Sequence, residues 1–129
     1  MQINGNFIKE QFKKIQEKYK LEITLEDEYR IEYQNKRIRI YFGTERWDDG
    51  VIISVTNKLN NKFYDIFDIE TGKGFDNFEE SLSSTDKSTM KNLKEGNDQI
   101  VFAFRILLEK HCQDVLSGDF SSIGTGRSH

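Results

Sequence analysis

Ile8, Phe12, Ile15 and Tyr19 are separated by four, three and four residues. That spacing predicts one apolar stripe on a helix, with Lys9, Lys13, Lys14 and Lys18 off it. Asn4 or Asn6 suits its N-cap. The period then changes to two. Leu21, Ile23 and Leu25 alternate with Glu22 and Thr24. Tyr29, Ile31 and Tyr33 alternate with Arg30 and Glu32, and Ile38, Ile40 and Phe42 with Arg37, Arg39 and Tyr41. Each run predicts a strand buried on one face, and the short link at residues 34–36 makes residues 28–43 a hairpin. Val51–Thr56, after the turn Asp48-Asp49-Gly50, predicts the next strand. Phe63–Ile69 predicts one more, closed by Thr71-Gly72-Lys73-Gly74.

Residues 75–96 show no sustained period. Phe75, Phe78 and Leu82, then Met90 and Leu93, predict short helical pieces broken at Ser81–Ser84. From Asn97 to Leu116 the helical period returns, with Ile100, Val101, Phe104, Leu107, Leu108, His111 and Val115 on one face. Asn97 or Asp98 suits its cap, and Gly118 a left-handed stop. No connection in the strand region is long enough for a helical crossover. The expected fold is therefore α+β, an antiparallel β-meander of about four to five strands. Its N-terminal and C-terminal helices pack on one face. The expected core includes Phe12, Ile15, Ile31, Ile40, Ile53, Phe104 and Leu108. The opposite sheet face carries Glu22, Arg30, Glu32, Arg37, Arg39 and Tyr41, either wet or held for a partner. Residues 1–123 form a single domain in this reading, and the small, polar segment 124–129 reads as an expression-tag remnant.

Composition changes the picture in two ways. The chain has 129 residues, of which 36% are apolar and 12% aromatic, so large rings must build much of its core. A single Cys excludes a disulfide framework and a Cys-based zinc site, and no signal-like or membrane-length apolar run is present. A cytoplasmic protein is the simplest expectation. Charge is unevenly spread around the formal net of −3. Residues 1–20 carry five Lys against two Glu, whereas residues 44–82 hold nine acids and four bases. An acidic middle region repels nucleic acid and steers basic partners.

The inventory for catalysis is short. His111 and Cys112 are adjacent, so a helix points them about 100° apart, unsuited to act as base and nucleophile. His111 reads as a core-edge residue and Cys112 as a small filler. The glycines at 72 and 74 lack phosphate-loop spacing, and no calcium-loop pattern occurs. On a strand Asp65 and Asp68 fall on opposite faces and Asp68 and Glu70 on one, with no recognisable catalytic partner. Arg37, Arg39 and Tyr41 form a possible base-stacking patch, set against Glu22 and Glu32. No catalytic residue, cofactor or metal ligand is expected. What remains is a polar-aromatic surface: Trp47 beside Asp48 and Asp49, extended by Asp65, Asp68, Glu70, Asp76, Glu79 and Glu80.

An amphipathic first helix, a meander around Arg37-Ile-Arg-Ile-Tyr-Phe42, and a closing helix ending Leu107-Leu-Glu-Lys-His-Cys-Gln-Asp-Val-Leu-Ser-Gly-Asp-Phe120 make up the layout. It resembles the small bacterial immunity proteins of contact-dependent and polymorphic toxin systems. The resemblance covers the native chain in layout and the closing segment in motif. It implies a non-enzymatic cytoplasmic antitoxin that occludes one cognate toxin domain, with no site residues carried over. A basic, nuclease-like toxin agrees with the acidic middle region, and a homodimer is compatible with it. The alternatives are a small-ligand or regulatory module with a Phe- and Tyr-lined pocket, and a carboxylate hydrolase.

Overall fold

The structure is a computed structural model and describes residues 3–44 and 50–128. Helix α1 spans Gly5–Tyr19. The Asn4 side chain accepts from the Phe7 amide at 3.2 Å, which satisfies one of the free donors of its first turn. Ile8, Phe12 and Ile15 are buried along its stripe, and Tyr19 is partly so. The left-handed Lys20 (φ 54°) ends the helix and turns the chain into the sheet.

Five strands follow: β1 Glu22–Glu26, β2 Arg30–Gln34, β3 Ile38–Thr44, β4 Val51–Asn57 and β5 Lys62–Asp65. They pair antiparallel in chain order. The register sets Ile31 opposite Phe42, Tyr33 opposite Ile40, Ile40 opposite Val55, Phe42 opposite Ile53 and Val55 opposite Tyr64. All these apolar pairs share one face. A slip of one residue would turn them all to the other, so burial fixes the register. Asparagine side chains build the turns. Asn35 accepts from the amides of Arg37 and Ile38, Asn57 from Leu59 and Asn60 from Lys62.

Phe63–Ile69 is not one strand. β5 stops at Asp65, which caps helix α2, Ile66–Gly72. Its carboxylate accepts from the Asp68 amide at 2.8 Å, and Asp68 returns the favour to the Asp65 amide at 3.2 Å. This reciprocal box stabilises a helix start where side-chain alternation favours a strand. Residues 75–96 hold the expected helical pieces. These are a 3₁₀ turn at Phe78–Ser81 and helix α3, Ser84–Asn92, capped by Ser83.

The closing helix is divided. Helix α4 runs Gly96–His111, Cys112 leaves helical geometry (φ −125°, ψ 32°), and helix α5 covers Gln113–Leu116. Asn97 and Asp98 do not cap it. Their side chains accept from the Val51 amide and the Asn4 side chain, which ties the helix start to β4 and α1. Gly118 is the stop that was expected, at φ 97°. Its amide bonds to Val115 O and the next amide to Asp114 O, the paired closure of a left-handed C-terminal cap.

Helices α1 and α4 touch each other and cover the apolar sheet face. Phe12 joins the layers, with its ring centroid 4.8 Å from Phe42, 6.2 Å from Tyr33 and 6.5 Å from Phe104. All seven expected core residues are at most 2% exposed. Arg127 and Ser128 add a two-residue strand, β6, to the free edge of β5. No described helix is long and apolar enough to cross a membrane.

Candidate partner-binding surface

Helix α2 and the 3₁₀ turn together place the acidic residues. The Asp65 cap rotates α2 so that Ile69 is fully buried, Ile66 half-buried and Phe67 turned outward, 66% exposed. Phe67 and Ile66 border a cavity of about 380 Å³ between α2, the 3₁₀ turn and α4. Ile100 forms part of its floor, and Glu70, Asp76 and Glu79 form its acidic rim. Glu70 is anchored, accepting from the Phe78 amide at 3.0 Å. Among the described residues, no cation pairs with Asp76, Glu79 or Glu80. Lys73, the nearest base in sequence, is held elsewhere by both Asp114 oxygens at 2.9 Å and by Ser122 at 2.7 Å. Burial pulls the Asp114 carboxyl upward, but the Ser122 hydroxyl and the Lys73 ammonium outweigh it and hold it below the ordinary value.

The structure thus brings Glu70, Asp76 and Glu79 together, with Glu80 exposed beside them. Asp65 and Asp68 are not on opposite faces. At the start of α2 both turn to Arg127, at 3.7 Å and 3.0 Å. Nor do Asp68 and Glu70 share a face, because two residues along a helix are about 200° apart, not the 360° of a strand. Asp68 meets the tail and Glu70 the 3₁₀ turn. Trp47, Asp48 and Asp49 lie outside the described residues. Phe67 escaped the sequence reading because it alternates in phase with Phe63 and Ile69. The signal that could have found it is the Asp65-x-x-Asp68 spacing of a capping box.

The remaining chemistry is structural. Cys112 is fully buried, and desolvation pushes its thiol up to about 12, too high for a nucleophile at neutral pH. His111 is exposed on one side and packs its ring at 5.1 Å from Phe75 and 5.6 Å from Phe78. No group of three His, Cys, Asp or Glu suited to a metal occurs among the described residues. The Arg37, Arg39 and Tyr41 patch does not assemble. Arg37 leaves the sheet face to donate to Ser117 O at 3.0 Å, and Arg39 pairs with Glu32 at 3.3 Å. A wider basic recess of about 630 Å³ lies at the other end of the sheet, beside Lys20, Lys36 and Lys58. There Lys58 donates to Gln34 and to Asn35 O. No family model, curated protein or solved structure matches the chain.

Proposed function

We propose that the protein is an immunity protein that neutralises a cognate bacterial toxin domain by covering a basic surface of it. The exposed Phe67 beside the carboxylates of Asp76 and Glu79, which no cation among the described residues pairs with, is the observation that carries this reading. A large ring next to a cavity is the usual anchor of a protein interface, and unpaired charge around it sets partner and on-rate. A nuclease toxin presents basic side chains to phosphate, so an acidic protein seated there excludes substrate by charge and by bulk. The closed, desolvated Cys112 and the His111 ring, packed edge-on against Phe75 and Phe78, favour binding over chemistry.

The test pairs this chain with the product of the adjacent reading frame. Asp76→Lys with Glu79→Lys should slow association and flatten its salt dependence. Phe67→Ala should act on dissociation, by about tenfold or more for an anchor worth ~2 kcal/mol. Association unchanged by both variants would place the interface elsewhere.

A further inference from the structure

Two turns and a helix end meet at the basic end of the sheet. Residues 35–37 join β2 to β3, residues 58–61 join β4 to β5, and Lys20 follows α1. The Lys58 amide donates to Arg37 O at 2.9 Å, and the Asn35 side chain donates to Tyr19 O at 2.9 Å, so the three are fastened together. They border the recess of about 630 Å³. Lys20, Lys36, Arg37 and Lys58 line it, against the single carboxylate of Glu22. In the whole chain acids outnumber bases 22 to 19, yet none of these four cations pairs with a carboxylate among the described residues.

Two of the four are held by neutral oxygens instead. Lys58, half-buried, donates to Gln34 Oε1 at 2.7 Å and to Asn35 O at 2.8 Å, which leaves one of its three N–H groups. Gln34 is itself oriented, since its amide nitrogen donates to Thr24 Oγ1 at 2.8 Å. Arg37 donates to Ser117 O at 3.0 Å. A neutral acceptor positions a cation without cancelling its charge, and this ordering is complete before a ligand arrives. The volume is that of a small-molecule site rather than of a bare ion. Among the described residues no aromatic ring lines the recess, so it offers no stacking surface for a base. Thr24 and the Glu22 carboxylate offer partners for hydroxyl groups.

We propose that this recess is a binding site for a phosphorylated polyol, taken either as a free sugar phosphate or as the polyol phosphate headgroup of a lipid. Lys58 and Arg37 meet the phosphate as pre-positioned charges, Lys20 and Lys36 add to the field, and Glu22 and Thr24 take the hydroxyls. The site goes beyond the proposed function and shares no lining residue with the acidic groove.

The probes are fructose 1,6-bisphosphate, titrated to millimolar concentration into the ¹⁵N-labelled full chain, and phosphatidylcholine vesicles with and without phosphatidylglycerol. Saturable amide shifts are expected at residues 20–24, 34–37 and 58. Unphosphorylated fructose should give none, and sulfate should bind more weakly by about tenfold or more. Lys58→Gln should weaken binding by about tenfold or more, the loss of a charge-assisted hydrogen bond. Lys36 makes no hydrogen bond among the described residues, so Lys36→Gln keeps the fold and should weaken binding by about threefold. Lys13→Gln, on α1 outside the recess, should bind as wild type. Shifts with the free bisphosphate and no vesicle binding assign the site to a soluble ligand. Vesicle binding that needs phosphatidylglycerol and falls in the same two variants assigns it to a headgroup. No saturable response to either probe, fructose or sulfate as effective as the bisphosphate, binding unchanged in both variants, or an equal loss in Lys13→Gln would overturn the proposal. The toxin is absent from these experiments, so failure here is distinguishable from failure of the Phe67 interface.

Discussion

Phe12 sits where α1, the sheet and α4 meet, edge-on to Phe42 and within ring-contact range of Phe104. A core rich in aromatics concentrates its stability in few residues. Phe104→Ala should therefore cost about 3–5 kcal/mol, read as a fall in the urea midpoint at unchanged slope. A cost under about 1 kcal/mol would mean that the site collapses around the loss. Asp114 makes a second prediction at this scale. Its carboxyl is held below the ordinary 3.8 by Ser122 and Lys73 against the opposing effect of burial. A depressed folded value gives stability that is present above the unfolded value and lost as pH falls through the folded one. Lys73→Met should be most destabilising near pH 7, and its deficit should shrink as pH drops below about 4. Urea unfolding of both chains at pH 7 and pH 2.5 checks this, and a deficit independent of pH would contradict it.

Among the elements, α1 and the first four strands were legible in the sequence because each buries one face and repeats its period several times. Ile8, Phe12 and Ile15 have no competing period, β2 alternates throughout and β3 does so from Ile38 to Phe42, whereas β4, with Val55, Thr56 and Asn57 all buried, was legible from its β-branched residues after a turn signal. Phe63–Ile69 was misread because alternation runs through a point where a local hydrogen bond decides the backbone. Asp65 and Asp68 close a box that outweighs the strand pattern of Ile66 and Phe67. The same decision turns Phe67 outward, so the misplaced element and the missed exposed ring have one cause. Asn97 and Asp98 are the mirror case, since good capping residues were diverted by tertiary partners, Val51 and Asn4. The cap at Asp65 is directly testable. Asp65→Ala should cost about 1 kcal/mol. It should also speed hydrogen exchange within α2 while leaving α1 and α4 protected. Uniform loss across the chain would mean that α2 has no stability of its own.

Across the whole molecule, charge and shape divide into two ends. The basic recess beside Lys20, Lys36 and Lys58 lies at one end of the sheet, and the acidic groove with Phe67 lies over α2 and α4. The acidity of the middle region was visible as composition, but its use was not. Asp65 and Asp68 are engaged by Arg127, while among the described residues no cation pairs with Asp76 or Glu79. Only the folded chain sorts acids of one segment into these two sets. The deciding experiment is co-expression of this chain with the product of the adjacent reading frame, comparing wild type with Phe67→Ala/Asp76→Lys/Glu79→Lys at matched levels and matched thermal stability. The account predicts that the neighbour is toxic alone, harmless and captured in one-to-one complex with wild type, and toxic again with the variant. Full protection by an equally stable variant would contradict the proposed surface, and a neighbour harmless on its own would contradict the immunity reading itself.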